Sequence, residues 1–385
     1  MRVTLCSALA QGGIGQYSYG LACALKAAGV DVTQLVYEYP EYDLEAFPHP
    51  YRLVKKLQLA ISRRTQLTSP VRNLRVMLQE AWPSDLVHFQ WSLGARTDKL
   101  QIPILRRLGK PIVYTAHDVL PHDSKVMSLE HCRWLYHQAQ ALFVHGESLK
   151  QLLTDRFDVN PALVHVIPHG NYNFISDVPG PWQREPARAS FGLQEDDCVV
   201  LFFGLIRDYK GIDTLIEACR IVRDRGLRPG QRLKLLLAGR VYRDHWSEGG
   251  YAKLIADAGL SESVQLHLEH ISMQDIARFF NAADVVAVPY KRGSQSGVLR
   301  LAYSFGKPAV ATSVGSLSEL PAADLTRFVP PENPAAFADE LRELLLDPAA
   351  ARDLGRRARH YADTELSWDR IAATTRAVYA SLGAR

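Results

Sequence analysis

The chain has 385 residues, more than an ordinary single domain contains, and this length predicts two domains of roughly 150–200 residues each. Its hydrophobic fraction of 47% and charged fraction of 22% are those of a globular protein that can bury two sizeable cores. The formal net charge of +4 is small for this length and argues against a nucleic-acid partner, because proteins that bind nucleic acids usually carry a dominant basic face or tail.

The five cysteines are scattered, form no CxxC pair, and favour buried thiols in a reducing compartment. Residues 1–10 carry one charged side chain before a glycine-rich turn, so we expect no signal peptide. No run of 18 apolar residues occurs, and we expect no membrane-spanning helix. These features predict a cytoplasmic protein that at most attaches to a membrane surface.

Short apolar runs rich in Val, Ile and Leu alternate with amphipathic helical stretches along almost the whole chain. In the first half, the runs predict buried parallel strands at Val3–Cys6, Val32–Tyr37, Leu86–Phe89, Pro111–Ala116, Ala141–Val144 and Val164–Ile167. Helices are predicted between them at Gln16–Ala28, Ser128–Ala139 and Ser148–Arg156.

A second series of the same kind follows a stretch rich in proline and glycine, Asn171–Leu193, which predicts a linker. The strands of this series are Cys198–Phe203, Lys234–Ala238, Val264–Leu268, Val285–Pro289 and Ala309–Thr312. The helices are Ile212–Arg225, Met273–Ala283, Leu299–Phe305 and Ala335–Leu346. The pattern predicts two α/β, Rossmann-like domains, residues 1–175 and 190–365, with ligands at the carboxyl ends of the strands in a cleft between the domains.

The first predicted strand leads into a glycine-rich turn, Gly12–Gly15, and then into a helix. Glycines let the backbone approach a ligand, and a helix N-terminus offers free N–H groups to an anion. A dinucleotide fingerprint would read GxGxxG, whereas this turn reads GGxG and only Glu38 near the end of the next strand is acidic. A ligand loop, a dinucleotide site and a purely structural turn all remain open here.

The strand Pro111–Ala116 delivers His117 and Asp118 at its carboxyl end, and His122 follows nearby. A histidine at a strand tip can hydrogen-bond a sugar hydroxyl or transfer a proton near neutral pH. A lone histidine is more often structural, but its position and its neighbours favour the functional interpretation.

Arg207 and Lys210 stand in the loop between the strand Cys198–Phe203 and the helix Ile212–Arg225. Arginine chelates phosphate oxygens with a planar fork, and lysine adds a compact charge, so the pair predicts a diphosphate site. The alternative is two solvated surface cations.

The loop after Pro289 contains two glycines and three hydroxyl or amide side chains before a helix begins near Gly297. Amide N–H groups at a helix start, with polar side chains beside them, form a site for an anion and a sugar. An ordinary polar loop is the alternative. Further on, the chain passes Gly306-Lys307-Pro308 into a buried strand and reaches Gly315 and Glu319.

These four loops, in this order, resemble the retaining GT-B glycosyltransferases of family 4. The most specific resemblance lies in Pro289–Leu320, which is similar to the donor-binding segment of that family. Val166–Gly170 resembles the turn that ends the first domain, Leu235–Gly239 resembles the strand near the nucleoside, and residues 366–385 resemble the C-terminal helix that crosses back to the first domain.

The resemblance implies a transferase that moves a sugar from a nucleotide-diphosphate donor to a glycan or lipid-linked acceptor, in polysaccharide or glycoconjugate biosynthesis. Its implied catalytic residues are His117, Arg207 and Lys210, with Asp118 and His122 on the acceptor side. Its implied donor-binding residues are Gly13, Gly15, Arg207, Lys210, Gln295, Ser296, Gly297, Val298, Leu299 and Glu319. It also implies retention at the anomeric carbon without a protein nucleophile.

The chain departs from the usual pattern of that family at two places. Gly293 and Leu301 occupy the positions of its two glutamates, so we expect Gln295 and Ser296 to replace carboxylate contacts. The arginine precedes Lys210 by three residues, where five is the commoner spacing. We expect no cofactor and no metal, because Arg207 and Lys210 can supply the charge that a metal would supply.

Residues 51–76 contain seven basic side chains and no acidic one, interspersed with apolar residues. Such a basic amphipathic segment can lie on an anionic bilayer, and membrane contact suits a lipid-linked acceptor. A solvated helix face or a surface for an acidic acceptor is equally open. Other classes that share a two-domain architecture of this type are a sugar-nucleotide epimerase, a phosphorylase and a non-catalytic glycan-binding protein.

Overall fold

Two parallel sheets organise the chain, one in each of two compact units. The computed structural model describes residues 1–7, 12–37, 48–57, 68–120, 127–241, 248–293, 295–319 and 324–384. The first unit comprises Met1–Gly170 together with Leu366–Arg385, and the second comprises Asn171–Glu365. The predicted first domain, residues 1–175, therefore extends five residues past this boundary, and the predicted C-terminal segment 366–385 belongs to the first unit.

In the first unit, strands and helices alternate along the described residues. They are β1 (Arg2–Ser7), α1 (Gly12–Ala27), β2 (Asp31–Tyr37), β3 (Arg52–Leu57), α2 (Thr68–Ala81), β4 (Leu86–Phe89), α3 (Ala95–Arg107), β5 (Ile112–Thr115), α4 (Leu129–Tyr136), β6 (Ala141–Val144), α5 (Glu147–Phe157) and β7 (Val164–Val166).

The second unit repeats this alternation, and one last helix then returns to the first unit. Its elements are α6 (Asn173–Ser176), α7 (Arg184–Ser190), β8 (Asp197–Phe203), α8 (Ile212–Arg225), β9 (Arg232–Ala238), α9 (Glu248–Asp257), β10 (Val264–His267), α10 (Ile276–Ala282), β11 (Val285–Val288), α11 (Gly297–Ser304), β12 (Ala309–Thr312), β13 (Arg327–Val329), α12 (Pro334–Leu346) and α13 (Pro348–Thr364). The last helix is α14 (Trp368–Ser381).

Both sheets are parallel and share one topology. The first has the strand order β3-β2-β1-β4-β5-β6-β7, and the second has β10-β9-β8-β11-β12-β13. The central strands read as continuous apolar runs because helices cover both faces, and β8 is buried along its whole length. In each sheet the order reverses direction next to the first strand, between β1 and β4 and between β8 and β11. Ligands of doubly wound sheets bind at such switch points, at the carboxyl ends of the strands.

Helix starts in the second unit follow ordinary capping chemistry. The Asp347 carboxylate accepts from the amides of Ala349 and Ala350, and Pro348 fills the first helical position of α13. The Asn333 side chain caps α12 in the same way, with Pro334 at its first position. These local signals fix where both helices of the C-terminal pair begin.

The last helix, α14, packs on α1 within the first unit through Trp368. A Cβ atom on Gly20 of α1 would lie 2.3 Å from the indole, and one on Gly170 would lie 2.4 Å from it. Two glycines therefore form the slot that receives this ring, and a methyl group at either position would occupy the space of the indole. The hydroxyl of Tyr379, further along α14, contacts Nδ1 of the buried His88 at 2.6 Å.

Three sequence predictions need correction. Gly13 and Gly15 lie in the first turn of α1 and not in a turn that precedes the helix. The predicted linker Asn171–Leu193 contains the two short helices α6 and α7 and belongs to the second unit. The basic stretch 51–76 is not one continuous amphipathic element, because it contains the strand β3 and the start of α2, and residues 58–67 between them lie outside the described residues.

Candidate functional site

The switch point of the second sheet brings together the two loops that carry the predicted diphosphate site. One loop follows β8 and contains Arg207 and Lys210, and the other follows β11 and leads into α11. Because β8 and β11 are hydrogen-bonded neighbours with parallel direction, both loops leave the same edge of the sheet. The sequence order alone places these loops about 80 residues apart, so their meeting is a result of the strand order.

Gly211 holds the two loops against each other. Its φ is +69°, and a Cβ atom there would lie 1.9 Å from the carbonyl oxygen of Pro289. The amide of Lys291 donates to the carbonyl of Tyr209 at 2.8 Å and ties the same loops together. Only glycine satisfies both the positive φ and the backbone contact.

Lys210 is the cation that this arrangement positions most clearly. Its Nζ lies 3.5 Å from the centroid of the Tyr290 ring and 5.1 Å from that of Tyr209. Burial raises the pKa of Tyr290 to about 12, so its ring remains a neutral phenol beneath the ammonium group. The attraction between the cation and the ring fixes the position of the ammonium group at the carboxyl end of β8.

Arg207 stands at the start of the same loop, half-buried and in an extended conformation. It precedes the 3-10 turn Asp208–Lys210, and its carbonyl accepts from the amide of Lys210 at 2.9 Å. The preceding residue, Ile206, donates its amide to the carbonyl of Arg240, so the loop begins as an extension of the sheet. Arg207 and Lys210 therefore bracket one turn at the carboxyl end of β8.

Ser296 serves the fold in a way that the sequence prediction did not include. Its Oγ caps α11 by accepting from the amide of Leu299 at 3.2 Å, and it donates to the hydroxyl of Tyr290 at 3.1 Å. The cap leaves the first two amides of α11, those of Gly297 and Val298, at the helix start, where the positive end of the helix dipole lies.

Other residues of the predicted donor segment lie around this helix start. A Cβ on Gly297 would lie 3.0 Å from the hydroxyl of Tyr172, and Val298 approaches Gly204 of the β8 loop. Gln295 is half-buried, whereas Leu299 is buried. Glu319 is exposed at the end of the 3-10 turn Gly315–Glu319. Ser294 lies outside the described residues.

A pocket beside the β8 loop has a different character. It is lined by Asp208, Tyr209, Ile212, Asp213, Tyr251, Lys291 and Arg292. The ammonium of Lys291 is 2.6 Å from the carboxylate of Asp213, so much of its charge is already balanced. Two carboxylates in the lining disfavour a diphosphate there, because like charges repel. This pocket therefore does not favour the diphosphate that the sequence predicts.

A histidine cluster marks the carboxyl ends of the strands in the first unit. His117 follows β5, His145 follows β6 and His169 follows β7, and all three are buried. Their rings pack around Tyr17 of α1, with centroids 4.8, 5.1 and 5.0 Å from the Tyr17 ring. The Trp368 ring of α14 lies 5.2 Å from the same ring.

His117 is hydrogen-bonded at both ring nitrogens and is only 2% exposed. Its Nδ1 lies 3.1 Å from Nε2 of His145, and its Nε2 lies 3.2 Å from Oε1 of Gln90. Burial lowers the pKa of His117 well below its usual range, and the neighbouring His145, His169 and His88 lower it further. The ring is therefore neutral at physiological pH.

The remaining predicted residues of this unit are less closely assembled. Asp118 is half-buried. Burial raises the pKa values of Tyr114 and Tyr136, and the charge of Asp118 adds a smaller contribution. His122 lies outside the described residues. Gly13 is exposed and Gly15 is buried in the first turn of α1. The structure thus joins His117 to the histidines around Tyr17.

Sequence reasoning missed His145, His169 and Gln90. A signal was present, since each residue stands at or just beyond the end of a strand in the same sheet. Parallel strands carry such residues to one edge, which is how successive strand ends build a site. Among the described residues, no group of three or more His, Cys, Asp or Glu side chains has an arrangement that could hold a metal ion.

Comparisons with known proteins match each unit to a glycosyltransferase family. The model described as Glycosyltransferase Family 4 matches residues 11–170, and the one described as Glycosyl transferases group 1 matches residues 183–361. Among curated relatives, an uncharacterized glycosyltransferase, MJ1607, of Methanocaldococcus jannaschii is 26% identical over 96% of this chain and 94% of that protein. The D-inositol 3-phosphate glycosyltransferase of Streptomyces bingchenggensis is 30% identical, over 63% of this chain and about half (53%) of that protein.

Solved structures show the same architecture. The Anabaena protein HepE, in complex with UDP-glucose, superposes with a TM-score of 0.78 and 18% identity over 99% of this chain and all of that one. Two Rossmann-like units of this kind define the GT-B fold. The two family matches, one in each unit, support a GT-B glycosyltransferase of the family 4 and group 1 type. No helix in the described ranges is long and apolar enough to cross a membrane.

Proposed function

We propose that this protein is a retaining glycosyltransferase that moves a sugar from a nucleotide-diphosphate donor to a glycan or lipid-linked acceptor in polysaccharide or glycoconjugate biosynthesis. The observation that carries the proposal is the meeting of the β8 and β11 loops, which places Lys210 over Tyr290 beside the capped start of α11. A cation and a helix N-terminus at a switch point suit a diphosphate. The HepE complex with UDP-glucose supports a donor of this class.

Arg207 and Lys210 are the proposed ligands of the diphosphate. Their charges stabilise the negative charge that develops on the leaving nucleoside diphosphate as the glycosidic bond breaks. An oxygen of this diphosphate takes the proton of the incoming hydroxyl on the same face of the sugar, which gives net retention. Because both cations come from the protein, we propose that the reaction needs no metal ion.

The ribose must be bound by other contacts than those that the resemblance implies. Leu301 stands at the position of the family's second glutamate, and its apolar side chain is buried. The Ser296 hydroxyl already caps α11 and donates to Tyr290. We therefore propose Gln295 as the side chain that contacts the nucleotide, together with the amides of Gly297 and Val298 and with Glu319. In the first unit, His117 is proposed to contact the donor sugar, and Asp118 and His122 to face the acceptor.

A thermal-shift screen against UDP-, GDP-, ADP- and dTDP-sugars tests the donor site. A ligand at about 100 times its dissociation constant adds about 2.7 kcal/mol of stability. Lys210→Ala should abolish the shift. Lys291→Ala removes the same charge from the adjacent loop and should keep the shift, because the Lys291 ammonium is paired with Asp213. Equal shifts in both variants would place the donor elsewhere. Binding without release of nucleoside diphosphate or transfer would instead indicate a non-catalytic binding protein.

We also propose that the first unit contacts an anionic membrane through the described part of residues 51–76 and the rest of α2. Val71 on α2 is 61% exposed, and Trp82, directly after the end of this helix, is 69% exposed. Arg72 and Arg75 lie on α2, and Arg52 of β3 forms an ion pair with the Glu80 carboxylate. Co-sedimentation with vesicles of anionic lipid should fall when Val71 and Trp82 are both replaced by serine. Binding that persists unchanged would exclude this surface.

A further inference from the structure

Arg300 of α11 is a buried cation to which the described part of the chain gives no partner. The residue is 7% exposed, and its Nη1 atom is enclosed without a hydrogen bond. No ion pair or hydrogen bond of the described residues includes its guanidinium group. Arginine is almost never buried to this degree unless it is paired, so this residue needs an explanation.

A second arginine of the same unit shows what a buried guanidinium ordinarily requires. Arg188 of α7 is also 7% exposed, and it contacts three backbone carbonyl oxygens and one carboxylate, those of Ala282, Gln194, Asp197 and Asp284. The fold therefore surrounds one buried guanidinium with acceptors and gives the other none. An unpaired buried charge destabilises a protein, because the charge loses its hydration and gains no interaction in exchange.

Neutral tyrosines lie near the guanidinium of Arg300. Burial lowers the pKa of Arg300, and the nearby hydroxyl groups of Tyr303, Tyr361 and Tyr172 partly offset this effect. Burial also raises the pKa values of Tyr172 and Tyr303, so both side chains remain phenols. Arginine keeps its proton in proteins, and a positive charge among polar but uncharged groups favours an anion as its partner.

The position of Arg300 on α11 places it close to the start of that helix. Arg300 follows Gly297 by three residues, so the two lie on the same helix face. Side chains of an α-helix lean towards its N-terminus, which brings the guanidinium towards the amides of Gly297 and Val298. Tyr172 borders this face, because its hydroxyl would lie 3.0 Å from a Cβ atom on Gly297 and its amide donates to Ser304 Oγ at 2.8 Å. A buried cation and a helix N-terminus thus lie side by side.

We infer that Arg300 binds a phosphate group of the nucleotide donor at the start of α11, as a third cation beside Arg207 and Lys210. The inference rests on the proposed function, in which the diphosphate meets this helix start. The planar fork of a guanidinium matches two phosphate oxygens, and the phosphate supplies the negative charge that the chain itself does not. Arg300 therefore lowers the stability of the protein alone and raises its affinity for the donor.

A phosphate suits this place better than a carboxylate of the sugar. The amides of Gly297 and Val298 and the positive end of the helix dipole add donors beside the guanidinium. A diphosphate presents more acceptor oxygens than a carboxylate, so it can accept from the fork of Arg300 and from the helix amides at once.

Isothermal titration calorimetry of the full chain with UDP, GDP, ADP, dTDP and UDP-glucuronic acid measures the proposed contact. Arg300→Met keeps much of the apolar stem and removes the charge. The dissociation constant of the nucleoside diphosphate that the wild type binds should rise about tenfold or more in this variant, because charge-assisted hydrogen bonds are lost. Arg300→Lys keeps the charge without the fork and should give an intermediate value.

A control variant removes the same charge from another helix of the second unit. Arg220 of α8 is paired with the carboxylates of Glu217 and Asp224, so Arg220→Met should bind the nucleoside diphosphate as the wild type does. An equal loss of affinity in Arg220→Met and Arg300→Met would overturn the inference, because the effect would then come from net charge alone.

Thermal unfolding of the same variants separates binding from packing. In Arg300→Met the midpoint of the protein alone should rise, while the shift produced by the nucleoside diphosphate should shrink. A residue that only packs would instead lower the midpoint and leave the dissociation constant unchanged. Arg300→Lys, which keeps the buried charge, measures the loss of the fork if the methionine variant does not fold.

The outcomes distinguish this inference from the proposed function. Unchanged dissociation constants for every nucleoside diphosphate in Arg300→Met would overturn the inference alone. Weaker binding of UDP-glucuronic acid with unchanged binding of UDP would also overturn it, since Arg300 would then bind a sugar carboxylate. If Arg300→Met loses affinity but the wild type transfers no sugar, the transferase proposal fails and the phosphate contact stands.

Discussion

Gly211 offers the sharpest test of how the diphosphate site is assembled. Replacing it with alanine would place a methyl carbon 1.9 Å from the carbonyl oxygen of Pro289, whereas real Cβ atoms essentially never come closer than 3.0 Å to such an atom. Because the clashing atom belongs to the backbone, no side-chain rotation relieves it, and the β8 and β11 loops must separate by about 1 Å. Gly211→Ala should therefore weaken both folding and donor turnover.

A matched control isolates the clash from the backbone strain. Gly226, which ends α8, has a φ of +73° and no atom within 4 Å of its Cβ position. Alanine is strained at either position, by about 1–3 kcal/mol, and Gly226, with a ψ of 160°, is at least as unfavourable for alanine as Gly211, with a ψ of 32°. Only Gly211→Ala also displaces a loop. We expect Gly226→Ala to lower the unfolding midpoint and keep kcat/KM for the donor. A 1 Å displacement predicts a loss of up to about 100-fold in Gly211→Ala.

Chemical denaturation and steady-state kinetics of both variants measure the two effects separately. The reasoning is refuted if the two variants lose equal stability and equal donor turnover, because the contact with Pro289 would then have no consequence of its own. A loss of turnover in Gly226→Ala as large as that in Gly211→Ala would equally contradict it, since the Cβ position of Gly226 contacts neither donor loop.

Four further outcomes are expected. Arg300→Met should raise the free energy of unfolding by about 1 kcal/mol and with it the thermal midpoint, because Arg300 is buried and its Nη1 has no hydrogen-bond partner among the described residues. A lower midpoint would contradict this reasoning. Gly20→Ala should destabilise the first unit by displacing Trp368, whereas Gly29→Ala, with a positive φ and open space, should cost only its backbone strain; equal losses in calorimetry would contradict the slot. The lowered pKa of His88 means that the unfolded chain binds its proton first as the pH falls, so stability should decline from about pH 6.5 towards pH 3, and His88→Gln should flatten this slope in pH-dependent melting. Turnover should be undiminished in excess chelator, and its abolition would refute the metal-independent mechanism.

Several strands that are buried on both faces could be predicted closely from their apolar runs. β6 and β12 have the bounds that the sequence predicts, because their apolar runs end sharply at polar or turn residues. The strands that sequence reasoning missed, β3 and β13, both lie at sheet edges. Partial exposure there admits Arg52 and Arg327 and removes the apolar signal.

The same distinction separates what could be foreseen of the candidate site. The loops at the strand ends were predictable, since a polar loop after a buried run is visible in sequence. The partners of each side chain were not, because they depend on which strands become neighbours. Ser296 illustrates this: its hydroxyl suits a ligand contact in sequence, but the structure uses it to cap α11. The place of His145 in the candidate site could not be predicted either, because it depends on the contact of His145 with His117.

The slot that Gly20 and Gly170 form for Trp368 has a consequence for biosynthesis. The chain is made from its N-terminus, yet the ring that fills this slot belongs to residue 368, which follows the whole of the second unit. Most of the first unit therefore emerges from the ribosome first, but this unit is completed last. By then residues 171–365 have emerged and can already pair their own strands. Until Trp368 has been synthesised, no ring fills the space beside Gly20 and Gly170, so the first unit cannot complete its packing before the second unit has been made.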